Sequence, residues 1–319
     1  MRIHLTALAV LLTFSAHAQD CATSERAFSH FGGVTCIPAD PQRIVTLQDQ
    51  NGLLPLMELG VTPVGSLGHV QNDGSRIFRR MDGYDTSEVE WIGSYRNPAD
   101  AEAVAALAPD LIVGTPFQAD EVERLGDLAP VVLIDMFGQP LDDALMQFAA
   151  LVNRTDRAKE LEDAFSAKAA AVRATLGPAL AATTVSFITS DLEESRFYPN
   201  NPTQAMGMMF RALNPLRPAA EQGLGAEREY RAIETIGAHA ADLMLHTVCD
   251  ADDGGASESH TALLAHPLVQ AMPVSQADQI VALDCIAMVG SAWGKAMNGL
   301  DQVSEALADP KLNRDLIVE

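Results

Sequence analysis

Apolar and polar positions along this chain follow two rhythms, one belonging to helices and one to short buried strands. Residues 91–114 show both. An alanine-rich amphipathic stretch runs to Ala108, Pro109 stops it, and Leu111-Ile112-Val113-Gly114 follows without a polar position. Proline cannot continue a helix, and a short apolar run closed by glycine suits a strand covered on both faces. The pattern predicts a helix that delivers the backbone into a parallel sheet. The second half of the chain repeats the plan, with Glu234 near the start of a small-residue helical stretch through Ala241, then Asp242 and the strand Leu243-Met244-Leu245-His246-Thr247. Two half-chains built alike predict two α/β lobes facing each other.

The same reading places further elements on either side. A β-hairpin over 28–37 turns at Gly32-Gly33, and strands fall at 43–47, 63–65 and 131–134, with a helix over 51–59. Short apolar strands alternating with helices predict a doubly wound parallel sheet. Residues 141–176 carry apolar positions at helical spacing and almost no glycine or proline, with Asn153-Arg154-Thr155 as the one break. Thr155 or Asp156 can cap the second segment, which at 1.5 Å per residue extends on the order of 30 Å and can join two lobes rigidly. Beyond it lie a strand at 184–189, the segment 201–213, a strand at 279–283 and a closing helix over 289–307. The organisation is a leader over 1–18, a lobe over 19–140, a linking segment over 141–176 and a lobe over 177–319.

Composition narrows the compartment. Met1-Arg2, an apolar run from Leu5 to Phe14 and the ending Ala16-His17-Ala18 have the form of a secretory signal, too short to span a bilayer. Gln19 and Asp20 precede Cys21 where a bacterial lipoprotein carries a small-residue lipobox, so acylation at Cys21 is not expected. With the leader removed, 20 basic residues face 43 acidic ones, a net charge of −23. That balance argues against nucleic acid and anionic lipid as partners. All four cysteines, Cys21, Cys36, Cys249 and Cys285, lie beyond the leader, and an oxidising compartment favours two disulfides. Of the three possible pairings we favour Cys21–Cys36 with Cys249–Cys285, because each bridge stays within one half and the second pair sits just past two predicted parallel strands. Sequence alone leaves the other pairings open. No C-x-x-C spacing supports zinc.

Taken together, the segments P-A-D-P-Q-R-I-V-T-L (38–47), L-L-P-L-M-E-L-G-V-T-P-V-G (53–65), A-P-D-L-I-V-G (108–114) and L-A-P-V-V (128–132) resemble, in their order and spacing, the periplasmic substrate-binding proteins of ABC importers for iron-siderophores, haem and cobalamin. The resemblance covers nearly all of the chain past the leader. It implies an α/β fold of two Rossmann-like lobes joined by one long helix, with a ligand cleft between them and little hinge motion. It also implies a monomeric receptor with no cofactor of its own, whose partners are an iron chelate and an ABC permease with its ATPase. In that family a glutamate from each lobe docks on permease arginines. The matching positions here are Glu102, allowing one inserted residue near Ala99, and Glu234.

In open α/β sheets ligands bind beyond the carboxyl ends of the strands. Those ends fall at 47–50, 66–69, 94–96 and 115–117 in the first lobe, and at 190–198, 246–249 and 284–293 in the second. Ferric siderophores are bulky, often anionic and rich in aromatic or acyl groups, which suits arginine and aromatic partners. The candidates are Tyr95, Arg96, Arg196, Tyr198, Arg228 and Trp293. Rival readings keep the class and change the cargo to haem, with Tyr198 or His69 as axial ligand, to cobalamin or to a metal ion, or make the chain a metal-dependent enzyme or metallochaperone on the same fold. Little supports the last of these. His246, His260 and His266 lack metal-ligand spacing, and Gly254 falls where a calcium loop with Asp250, Asp252 and Asp253 needs an oxygen. The run Met206 to Met209 reads as core filler. Gly290 to Lys295 is one residue short of a P-loop, and no G-x-S-x-G elbow or nucleophile–base pair points to catalysis.

Overall fold

The computed structural model describes residues 21–200, 204–225, 228–249 and 257–308. The expected leader and the aspartates of the discarded calcium loop lie outside these residues.

The first lobe opens with an antiparallel hairpin, β1 (Glu25–His30) and β2 (Gly33–Pro38), turning at Gly33 with φ 118°. The bridge Cys21–Cys36 ties the preceding segment to it, with Cα atoms 5.5 Å apart. A sheet follows, built from β3 (Ile44–Thr46), β4 (Gly65–Val70), β5 (Arg76–Ile77), β6 (Glu90–Ser94), β7 (Leu111–Gly114) and β8 (Val131–Leu133). Its order is β5-β4-β3-β7-β8, with β6 also on β4, and only β5 runs antiparallel. Helices α1 (Leu54–Glu58), α2 (Ala101–Ala106) and α3 (Glu121–Leu125) make the crossovers.

Two sequence expectations shift here. The helix expected over 51–59 starts as a wide π-type turn at Asp49–Leu53 before α1. Pro55 has no N–H to return to Asn51, so the regular ladder cannot begin earlier. The strand expected at 63–65 runs instead through Gly65–Val70. A β-carbon on Gly65 would stand 2.4 Å from Leu107, and one on Gly68 2.5 Å from the carbonyl of Ile77. Close backbone approach calls for glycine, and glycine masks strand propensity in sequence.

The link is two helices, α4 (Leu141–Leu151) and α5 (Thr155–Ala182). Asn153, at φ 56°, takes the left-handed turn between them. The 28 residues of α5 extend about 42 Å. The helix outruns the expected end at Leu176 because its buried stripe, Leu161, Phe165, Ala169, Val172, Leu176 and Leu180, continues for another turn.

The second sheet contains β9 (Val185–Asp191), β10 (Arg196–Pro199), β11 (Arg231–Ala232), β12 (Leu243–Val248) and β13 (Ile280–Asp284) in the order β11-β10-β9-β12-β13. β9, β12 and β13 are parallel, while β10 folds back antiparallel on β9 and carries β11 at its far side. The lobe is therefore mixed rather than wholly parallel. The expected echo of α2 is a 3₁₀ stretch, Ile233–His239. Its β-branched Ile233, Thr235 and Ile236 and its Gly237 all disfavour an α-helix. Helices α6 (Gln204–Leu213), α7 (Glu258–Ala265), α8 (Pro267–Gln270), α9 (Pro273–Gln276), α10 (Cys285–Met288) and α11 (Trp293–Ala308) complete it. Cys249 and Cys285, just past β12 and β13, form the second bridge.

One hydrophobic cluster joins both lobes. It runs from Ile44, Leu111 and Val113 of the first sheet through Phe148 of α4 and Phe165 of α5 to Leu243, Leu245 and Leu283 of the second. A second connection crosses between α1 and α11. Glu58 accepts hydrogen bonds from the backbone N–H groups of Trp293 at 2.9 Å and Gly294 at 2.7 Å, supplying the acceptors that the first turn of α11 lacks. Ser291 adds two more links, its hydroxyl to Asn51 at 2.6 Å and its N–H to the carbonyl of Gln50 at 3.1 Å. Burial pushes the Glu58 carboxyl above its ordinary range, although the two N–H donors pull it back. The same carboxylate occupies the helix start that the Gly290 to Lys295 run would otherwise offer to a phosphate. Among the described residues no helix is long and apolar enough to cross a membrane.

Candidate functional site

A cavity of about 760 Å³ opens between the two sheets. It lies at the carboxyl ends of β3, β7, β8, β9 and β12, where chain connections rather than sheet hydrogen bonds set the surface. The first lobe contributes Gln50 and Asn51 after β3, Phe117 after β7 and Phe137 after β8. Phe117 is 74% exposed and meets Phe137 edge-on at 5.1 Å, so an apolar wall faces the opening.

The second lobe supplies the opposite wall. Tyr198 on β10 meets Tyr230 edge-on at 5.4 Å, and the Arg228 guanidinium lies over the Tyr198 ring at 4.3 Å. Arg228 also donates to the Tyr230 hydroxyl at 3.2 Å. Arg196 stands behind this group, 4.2 Å from the Tyr230 ring and donating to Asp191 at 2.8 Å. Deeper in, Thr189 hydrogen-bonds Thr247, and the Asn200 amide donates to Thr247 at 3.3 Å. A bulky ligand would thus sit between phenylalanines and tyrosines, with amides and hydroxyls around it and one cation against it.

A family model for periplasmic binding proteins matches residues 82–287. The chain belongs to the periplasmic binding protein family. This binding protein is similar to the probable siderophore-binding lipoprotein YfiY of Bacillus subtilis (strain 168), 30% identical over 186 residues that cover 58% of this chain and 55% of YfiY. It spans about half the length of the curated relatives it matches. Among solved structures, Staphylococcus aureus SirA complexed with staphyloferrin B superposes with a TM-score of 0.71 at 20% identity, covering 89% of this chain and 99% of SirA. The siderophore periplasmic binding protein from the fuscachelin gene cluster of Thermobifida fusca gives 0.63 at 25% identity, covering 85% and 98%. The likeness to SirA establishes the two-lobed fold with its linking helix.

Within this binding protein the sequence candidates separate. Tyr198 and Arg228 line the cavity, and Arg196 supports it from behind. Tyr95 and Arg96 follow β6, at the outer edge of the first sheet, and neither lines the cavity. Tyr95 is half-buried beneath Arg79, whose guanidinium lies 3.8 Å from the ring, while Arg79 pairs with the buried Asp49 at 2.5 Å. His69 lies beside Tyr95 at 5.8 Å, its pKa lowered by desolvation and by Arg79 and Arg96. Trp293 is corrected from a ligand contact to a core side chain: it is 0% exposed at the start of α11 and belongs to the cluster that joins the lobes.

Glu102 lies exposed in the first turn of α2, capped by Asp100, and Glu234 lies exposed at the start of the 3₁₀ stretch. Of the three histidines weighed as metal ligands, His246 and His260 approach at 3.1 Å, and among the described residues no group of three His, Cys, Asp or Glu side chains forms a metal site. Sequence reasoning missed Phe137 and Tyr230. Phe117 and Gln50 fell inside the strand-end windows but were passed over. Phe137 follows β8, whose end was not counted, and Tyr230 stands two residues from Arg228 in a segment with no strand pattern.

Proposed function

We propose that this chain is the extracytoplasmic receptor of an ABC importer, capturing a ferric siderophore or similar iron chelate in the interlobe cavity and handing it to the permease. The observation that carries the reading is the cavity wall itself: facing aromatic pairs, neutral amides and hydroxyls, and the cation of Arg228. Such a surface holds a large ligand through its organic shell. Iron travels as cargo, and the receptor uses no resident cofactor and performs no catalysis. The likeness to a siderophore-binding relative supports the same cargo class.

Removal of the leader would leave a monomer in the periplasm. The relatives named above include a lipoprotein, but the sulfur of Cys21 is bonded to Cys36 and has no valence left for a thioether lipid. Glu102 and Glu234 dock the receptor on the permease, whose ATPase supplies the energy for transport. Affinity rests on a preformed cleft, because the long α5 and the link from Glu58 to α11 both oppose hinge bending.

Equilibrium dialysis against radioactive iron, presented as hydroxamate, catecholate and citrate complexes, tests the reading. Saturable one-to-one retention of iron with at least one chelate is the expected result, and free passage of all of them rejects the receptor. Replacing Glu102 and Glu234 together with arginine should leave that retention unchanged while abolishing uptake in cells carrying the permease. Normal uptake by the double variant would remove both residues from docking.

A further inference from the structure

Gly290 forms part of the cavity wall and has two cations beside it. A β-carbon placed on this glycine would stand 3.9 Å from Cβ of Arg80 and 3.6 Å from Cγ of Lys295, and the glycine interposes no side chain of its own. Arg80 follows β5 in the first lobe, and Lys295 lies in the first turn of α11 in the second. The two therefore meet where the lobes adjoin.

Arg80 is held at a cost that its surroundings do not offset. Its backbone takes the left-handed region at φ 65°, which disfavours any residue with a β-carbon. The side chain is half-buried, it forms no ion pair among the described residues, and its buried Nε has no hydrogen-bond acceptor. Carboxylates within electrostatic reach are committed elsewhere: Asp49 pairs with Arg79 at 2.5 Å, and Asp284 caps α10 by accepting from the N–H of Ile286 at 2.7 Å. Lys295 is 6% exposed, and the carboxylate it pairs with, Asp82 at 3.5 Å, is itself 78% exposed. A pair of that length with a solvated partner is weak. Burial lowers the pKa of both cations, and a neighbouring arginine lowers each further, Arg79 for Arg80 and Arg80 for Lys295. Together they make a demand for an acceptor that the chain itself does not supply.

Resting on the receptor reading above, we propose that Arg80 and Lys295 form a cross-lobe anion subsite of the cleft, which takes a carboxylate projecting from the organic shell of the cargo. The carboxylate oxygens accept from the Arg80 guanidinium and the Lys295 ammonium, so the ligand ties the first lobe to the second at the seam that Glu58 already bridges. The subsite is distinct from Arg228, which is held over Tyr198 in the second lobe and meets the oxygens around the iron.

Calorimetric titration of the mature chain with two matched probes, a ferric trihydroxamate and the same chelate bearing one pendant carboxylate, tests the subsite. The variants are Arg80→Asn, because asparagine tolerates the left-handed backbone, and Lys295→Met, which keeps length without charge, each alone and both together. We expect the wild type to prefer the carboxylated probe at least about tenfold and the double variant to bind the two within about twofold of each other. The unliganded variants should melt at or above the wild-type temperature, since each removes a buried cation that lacks a close partner. Should the double variant fail to fold, the single variants carry the test, each expected to lose at least about threefold of the preference. Equal binding of the two probes by the wild type overturns the subsite and leaves the receptor reading standing. A preference that survives the double variant also overturns it, and its loss in Arg228→Ala would move the carboxylate to Arg228. Silence from both probes removes the receptor reading, and this subsite with it.

Discussion

The two lobes face one cavity with different chemistry. The first presents an almost wholly parallel sheet and a neutral surface, in which phenylalanines and amides stand at the strand ends. The second interrupts its sheet with the antiparallel β10 and mounts the charged and phenolic residues on and beside that strand. Each lobe also buries a carboxylate under an arginine. In the first, Asp49 under Arg79 fixes the loop that carries Gln50 and Asn51. In the second, Glu221 accepts from Ser186 at 2.5 Å, from the N–H of Phe187 at 3.1 Å and from Arg217 at 2.6 Å, and meets His239 at 2.9 Å, fixing the start of β9. Under the proposed receptor role, the first lobe would act as an apolar platform and the second as the discriminating wall.

The strongest way to break that comparison is to remove the support of the discriminating wall. Burial alone would raise the Glu221 carboxyl, but its hydrogen bonds and Arg217 outweigh it, so its pKa lies below the ordinary value. That sign means the stability it contributes is present above the unfolded pKa and lost as pH falls through the folded one. Glu221→Ala should destabilise the protein by about 3–5 kcal/mol, because it leaves Arg217 and Ser186 buried without their acceptor. A thermal melt shifted by less than about 1 kcal/mol equivalent would show that the network does not hold the lobe.

Arg228→Ala comes next and acts on the ligand alone. Loss of a fixed cation against an anionic ligand should weaken binding by about 1.4–2.8 kcal/mol, or ten- to a hundredfold, with no change in the melt. On the opposite wall, Phe117→Ala should cost about 1 kcal/mol of binding. Its exposure leaves stability untouched. If Phe117→Ala proves the more damaging of the two, the division of labour between the lobes is reversed.

Glu58, at the seam between lobes, sharpens the comparison through pH. Its folded pKa is raised by burial, so its favourable contribution is complete below the unfolded value of 4.5 and declines as pH rises through the folded one. Glu58→Gln should flatten that decline between acid and neutral pH, measured by chemical denaturation. An unchanged slope would mean that the carboxyl is solvated after all. The smallest effect belongs to Arg96→Ala, expected to change affinity less than about twofold, since Arg96 stands at the outer sheet edge rather than in the cleft.

Much of this was legible in the residues, for identifiable reasons. The Pro109 stop and the buried runs at 111–114 and 243–247 marked the two sheets, because strands covered on both faces read as continuous apolar stretches. Arg228 lies outside every strand-end window and rests on its charge alone, while counting strand ends placed Tyr198 near the cleft. It failed for β10, which begins after Ser195 at φ 50° and is too short for an alternating pattern. Rarity misled the choice of Trp293, since a tryptophan's scarcity says nothing of its burial. Its position in the core depends on Glu58 of the other lobe reaching across to cap α11, a contact no local pattern encodes.

The most direct test of the account is an isothermal titration of the mature chain and its Arg228→Ala variant with a monoanionic ferric trihydroxamate in one buffer. The account predicts one saturable site of sub-micromolar affinity, at least about tenfold weaker in the variant. Wild-type protein that gives no binding heat at any of several temperatures, or a variant that binds as tightly as the wild type, would contradict it.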